Sequence, residues 1–112
     1  MNKTTAEVND MIASIGLPYA YYAFPPGDKP KPPYLCFFYP RWRDFEADGE
    51  NYAYINELHI RKYSSYPDLH GDRAISRVLN ANGLVCEGES WYDEDEHIWV
   101  TEIVANVPIR EP

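Results

Sequence analysis

The segment Pro25-Pro26-Gly27-Asp28-Lys29-Pro30-Lys31-Pro32-Pro33 cannot join a β-sheet, because proline lacks the backbone N–H that a strand ladder needs. It separates two aromatic runs, Tyr19–Phe24 and Tyr34–Tyr39, that contain no breaker of their own. The chain must therefore form two strands with a stiff, partly polyproline II connection between them. That connection is too short to link domains, so the expectation is a rigid hairpin loop. Pro30 and Pro33 form a PxxP pair, but the closing strands and the poor basic flank favour the loop reading.

The remaining elements follow from periodicity and punctuation. Thr4-Thr5-Ala6-Glu7 is a capping box, in which the Thr4 side chain accepts from the backbone and Glu7 reaches back. Val8, Met11, Ile12 and Ile15 then recur on one helical face, Gly16 supplies a left-handed stop and Pro18 forbids continuation. Tyr34–Tyr39 is nearly continuous in apolar residues, as in a strand covered on both faces, and Pro40 is expected to end it. Arg41–Glu50 is expected to be a polar loop with a turn at Asp48-Gly49. Asn51–Tyr63 alternates strictly and is long enough to overhang its neighbours. Its even-numbered residues through Ile60 lie on one face, and Ala53, Ile55, Glu57, His59 and Arg61 on the other. Ser64–Asp68 opens a second helix with a stripe of Ala74, Ile75, Val78 and Leu79, stopped by Gly83. Two final strands, Val85–Trp91 and His97–Val107, flank an acidic turn at Tyr92–Glu96. The order is α-β-β-β-α-β-β. It predicts a two-layer α+β domain spanning residues 1–112, with helices near 4–15 and 68–82 on one face of an antiparallel sheet of about five strands. A ferredoxin-like sandwich, the main rival, has a different order.

Bulk properties narrow the function. The 112 residues suffice for one core without metal or disulfide staples. The formal net charge of −8 opposes tight nucleic-acid binding, which normally needs a cationic face. Ten tyrosines and three tryptophans exceed what so small a core requires and hint at an interface. Cys36 and Cys86 lack metal-ligand spacing and are expected as free, packed thiols. No run approaches the length of a membrane span, and the N-terminus lacks an apolar leader core, which predicts a cytosolic protein.

Candidate chemistry is thin. His59 stands beside Glu57 and Arg61, His70 beside Asp68 and Asp72, and His97 after Asp93-Glu94-Asp95-Glu96. None of these spacings matches a catalytic or zinc pattern, and surface histidines account for them. The expectation is no catalytic residue, no metal and no cofactor. Asp93, Glu94, Asp95 and Glu96 lack the calcium-loop spacing and read as a solvated turn or a functional negative surface. Arg41, Trp42, Arg43 and Phe45 place large side chains in what reads as a polar connection, where the aromatics either fold back over the sheet edge or, with the arginines, anchor an interface.

Taken together, Ile15-Gly16-Leu17-Pro18, the tyrosine-rich strand, Lys31-Pro32-Pro33-Tyr34, Phe45-Glu46-Ala47-Asp48-Gly49-Glu50-Asn51-Tyr52 and Trp91-Tyr92 before a closing hairpin carry a resemblance. From about Thr5 to Val107 the chain resembles a family of small prophage tail-component proteins of Gram-positive bacteria, similar to the tail terminators of long-tailed, non-contractile phages. The resemblance implies a structural, non-enzymatic role. The subunit would cap the tail tube and join it to the head-closure or connector protein, as a ring, commonly a hexamer, without a cofactor. It implies assembly in the host bacterial cytoplasm and a final place at the virion neck or tail top, with DNA passing through the lumen without sequence-specific binding. The acidic Asp93–Glu96 turn would then be a lumen-facing segment. Another neck protein, such as a connector or stopper, is the nearest alternative, and a small cytosolic ligand-binding or enzymatic α+β domain the more distant one.

Overall fold

The computed structural model describes residues 2–47 and 51–110. Helix α1 (Thr5–Ser14) starts where the capping box places it: the Thr4 amide donates to Glu7 Oε1 at 2.8 Å and the Glu7 amide to Thr4 Oγ1 at 3.1 Å. Gly16 adopts φ +90 just past the helix, a conformation a side chain resists. Strands β1 (Tyr19–Tyr21), β2 (Tyr34–Ala47) and β3 (Asn51–Ser64) follow, then α2 (Leu69–Ala81), β4 (Cys86–Asp93) and β5 (Ile98–Ile109). The five strands form one sheet in the order β1-β2-β3-β5-β4. This is the expected α+β architecture, and the sheet is mostly antiparallel.

Both helices lie on one face of the sheet. Val8, Met11 and Ile12 of α1 and Ile75 and Leu79 of α2 share a core with Leu35, Phe37, Leu58, Ile60, Ile103, Ala105 and Val107. Burying each large aliphatic side chain there contributes about 1.5–3 kcal/mol. Ala74, expected in the α2 stripe, is exposed; the stripe is Ile75, Val78 and Leu79. On the opposite face a smaller cluster of Tyr34, Cys36, Ile98 and Val100 is covered by Phe24 and Tyr63, and the rest of that face is open.

Two strand expectations are corrected. β1 pairs with β2 in parallel, with Tyr19 opposite Leu35 and Tyr21 opposite Phe37, and is shorter than the expected Tyr19–Phe24. The proline segment is therefore a crossover and no hairpin: residues 22–33 give the dozen or so that a parallel return needs. Tyr22 turns the chain out of β1 at φ 67 and stacks on Phe38 at 5.6 Å. Nor does Pro40 end β2. The register shifts by a bulge between Phe38 and Arg41, and pairing with β3 resumes from Arg41 opposite Glu57 to Ala47 opposite Asn51. A bulge at a sheet edge is where a strand tolerates proline, and β1 has already left the outer side of β2 at this point. Arg41–Ala47 is thus strand, and the expected Asp48-Gly49 turn lies outside the described residues.

A 14-residue strand is about 46 Å long, so β2 and β3 set the long axis of a molecule measuring 49 × 28 × 23 Å. The radius of gyration is 14.9 Å, against about 13 Å for a compact domain of this length. At the base of this arm the N-terminal backbone completes the sheet. Lys3 bridges Ile109 in parallel, its amide donating to the Pro108 carbonyl and its carbonyl accepting from Arg110.

One polar group sits deep beneath the helical layer. Lys62, 1% exposed, reaches from β3 to the N-terminus of α2, where Nζ meets Asp68 Oδ2 at 3.2 Å and Asp72 Oδ1 at 2.6 Å and donates to the Asp68 carbonyl at 3.1 Å. Asp68 also caps the helix, accepting from the Gly71 amide at 3.0 Å. Any Cβ on Gly71 would collide with the Asp68 carboxylate and crowd Lys62 Nζ, so residue 71 has no room for a side chain.

Candidate functional site

The side chains singled out in the sequence fall on two regions. Arg41, Trp42 and Arg43 lie on β2 beyond the bulge, in the arm and not in a loop. The register sends Trp42, opposite Asn56, to the helix-side face, and Arg41 and Arg43, opposite Glu57 and Ile55, to the open face. Trp42 is 66% exposed and borders an apolar depression with Tyr39, Tyr54 and Ile109 beyond the edge of α1. The Arg41 guanidinium stands 3.9 Å from Glu57, and both Arg41 and Arg43 are exposed. The backbone of Phe45 is in β2; its side chain lies outside the described features.

Asp93, the last residue of β4, and Glu94, Asp95 and Glu96 of the β4–β5 turn stand at the opposite end of the long axis, so the turn begins two residues later than the expected Tyr92. Asp93 has a structural task, since its Oδ1 accepts from the amides of Asp95 at 3.0 Å and Glu96 at 3.2 Å. Glu94, Asp95 and Glu96 are exposed. The proline crossover approaches this turn: Lys29 sits 5.8 Å over the Tyr34 ring and borders the same depression as Asp93 and Glu96.

The open face carries a network of which sequence showed half. His59 Nε2 is 2.7 Å from Glu57 Oε1, the neighbour visible in sequence, and Nδ1 is 3.3 Å from Glu102 Oε2 on β5. Arg61 Nε donates to the same Glu102 oxygen at 2.6 Å. Phe38 stacks on His59 at 5.4 Å, and Arg61 lies over Phe38 and Trp91. The imidazole is 15% exposed, so His59 is no plain surface histidine. His70 and His97, by contrast, are exposed, and His97 occupies the β4–β5 turn at φ 53. Glu102 was not legible because its partner Arg61 is 41 residues away; only the strand register brings them together.

The network joins two carboxylates to an imidazole and a guanidinium across β3 and β5. Burial pushes the Glu102 carboxyl up, but the Arg61 and His59 contacts outweigh it and leave it below the usual glutamate value. Burial pushes the nearby Cys36 thiol up, away from the nucleophilic thiolate. Among the described residues no group of three or more His, Cys, Asp or Glu is arranged to hold a metal ion. Nor is any described helix long and apolar enough to cross a membrane.

These shifts set a pH dependence. Glu102 and Asp68, the latter held down first by the Gly71 amide and then by Lys62, both titrate lower folded than unfolded. Their stabilisation is complete above the ordinary carboxylate range and is lost as pH falls through it and below. Urea midpoints measured from neutral pH into that range should fall for the natural chain. They should fall less steeply for Glu102→Gln and Asp68→Asn; equal slopes would show that these contacts contribute nothing.

No protein-family model matches the chain, and none of the curated proteins matches it.

Proposed function

We propose that this chain is a structural subunit of phage morphogenesis, a tail terminator that caps the tail tube as a ring, six-membered by its resemblance, and presents a surface to the head connector. The observation that carries the proposal is the arm. Paired 14-residue strands extend the sheet and carry exposed Trp42 and Tyr54 beside half-buried Tyr39, a form suited to contact between neighbouring subunits and with a tube. The sequence resemblance supplies the identity of the assembly. On this proposal the protein is no enzyme and needs no cofactor. Its partners are copies of itself, the major tail tube protein and the head-closure protein, and DNA passes through its lumen. The exposed Glu94, Asp95 and Glu96 would suit a lumen wall that repels the polyanion.

Self-association is expected to be weak in isolation and stronger on a tube end, because a subunit added there gains contacts from neighbours and tube together. Deleting the gene should yield tails of uncontrolled length, and the purified protein should bind tube ends in the stoichiometry of a ring. Full heads lacking tails would instead assign a stopper, and tails of normal length would end the terminator proposal.

A further inference from the structure

Two free sheet edges on opposite sides of the molecule carry complementary three-residue patterns. On one side β1 covers β2 only at Leu35–Phe37, so the arm beyond the bulge has no strand on its outer side among the described residues. On the other side β4 is the terminal strand, and Glu87 through Tyr92 are all exposed. The arm edge reads Arg41-Trp42-Arg43 and the β4 edge Glu87-Gly88-Glu89. By register, Arg41, Arg43, Glu87 and Glu89 all lie on the open face, while Trp42 and Gly88 lie on the helix-side face.

We propose that the Arg41–Asp44 edge of one chain pairs with the Cys86–Glu89 edge of a second copy, continuing the sheet from subunit to subunit. This deepens the ring proposed above and rests on it only for closure. The direction follows from the topology. β2, β3, β5 and β4 are joined by three successive antiparallel steps, so β4 runs opposite to β2. A neighbour that keeps its helices on the same side therefore presents β4 antiparallel to the arm. Placing Trp42 opposite Gly88 then sets Arg41 against Glu89, Arg43 against Glu87 and Asp44 against Cys86.

Each part of this contact answers an unmet feature of the single chain. Glu89 stands directly opposite Glu102, a like-charge pair that costs stability, and Arg61 and His59 are already committed to Glu102. No ion pair involves Glu87, Glu89 or Arg43 among the described residues. A Cβ on Gly88 would press on the Glu102 carbonyl at 3.1 Å and on Ile103 at 3.2 Å, so the position has no side chain. Beside it a groove of about 240 Å³ opens between β4 and α2, floored by Ile103 and flanked by Leu69 and Ser76. A large aromatic opposite a strand glycine covers such a gap, and Trp42 is the exposed aromatic in register to do so. The charges also choose the partner: arm against arm or β4 against β4 would oppose like charges, leaving the mixed, head-to-tail pairing that a ring requires.

Asp44→Cys tests the register. Under mild oxidation at millimolar chain concentration, position 44 should form a disulfide with the natural Cys86 of another chain, because directly opposed residues have Cα separations within disulfide range. Within one chain the two sites are separated by β3 and β5, three strand spacings and out of reach. Pro40→Cys, which a parallel register would favour, should not crosslink. Charge reversal tests the recognition. Arg41→Glu with Arg43→Glu, and separately Glu87→Arg with Glu89→Arg, should each weaken self-association roughly tenfold or more, from lost and inverted cross-strand pairs. An equimolar mixture of the two variants should restore it. The proposal is overturned if Asp44→Cys leaves the chains uncrosslinked, if both variants associate like the natural chain, or if the mixture is as weak as either alone. Uncontrolled tails in the deletion strain together with a failed crosslink would end the edge pairing and spare the terminator proposal. Normal tails with a successful crosslink would do the reverse.

Discussion

Replacing Asp68 and Asp72 together by alanine should cost the folded protein about 5 kcal/mol, more than replacing the lysine they hold. The reason is where each charge sits. The Lys62 side chain is 1% exposed, whereas those of Asp68 and Asp72 are 21% and 19% exposed and reach water at the start of α2. Without its carboxylates the ammonium keeps only the Asp68 carbonyl at 3.1 Å, deep under the helix. Removing the partners of a buried charge typically costs about 3–5 kcal/mol, and loss of the Asp68 cap adds roughly 1 kcal/mol. Lys62→Met removes the buried charge, keeps much of the side-chain volume and leaves both aspartates able to hydrate. Its cost should be about 1 kcal/mol or less, since apolar replacement of a buried ion is often near neutral. Adding Lys62→Met to the double alanine variant should therefore recover most of the loss. Urea unfolding of the four proteins checks this at one pH; a Lys62→Met cost equal to that of the double alanine variant would place the energy in the ion pair itself and not in a stranded charge, because methionine keeps most of the lysine stem.

How much of this was legible in the sequence depended on the range of the forces involved. The α1 capping box and the α2 stop at Gly83 were legible because their partners lie within one helical turn. The two faces of β3 were legible because alternation is strictly local, and extending that alternation from Leu58 and Ile60 puts Lys62 in the core, where it is found. The direction of β1 was not legible. Short aromatic strands around a loop suggest a hairpin, and only tertiary pairing shows that Leu35 donates its amide to Pro18 and that Tyr22 bonds to Phe37. Pro40 misled for a related reason: proline stops a strand flanked on both sides, yet β2 has lost its outer neighbour there and absorbs the missing donor in a bulge. Arg41, Trp42 and Arg43 were singled out as large side chains without a core to fill, and all three are exposed, but the supposed loop concealed their alternation. Once they are on a strand, Trp42 parts from Arg41 and Arg43 to the opposite face.

Trp42→Ala should leave the stability of the single chain within about 0.5 kcal/mol and weaken assembly by about 2 kcal/mol or more, some thirtyfold. The first half follows from exposure. Trp42 lies beyond the edge of α1, 66% exposed, and belongs to neither hydrophobic cluster, so truncation opens no cavity. The second half follows from its setting. Exposed Tyr54 and half-buried Tyr39 flank it on the same depression, so the indole extends an apolar surface that a partner can desolvate as a unit. Tryptophan truncations at the centre of such surfaces are among the costliest in protein interfaces. Chemical denaturation of the dilute chain measures the first quantity, and sedimentation over a concentration series, with binding to tube ends, the second. Tyr54→Ala should follow Trp42→Ala in direction with a smaller effect, because Tyr54 is the less exposed of the pair. A Trp42→Ala chain that unfolds more easily but assembles normally would assign the indole to the arm's own packing, and the subunit contact would have to be sought elsewhere on the sheet.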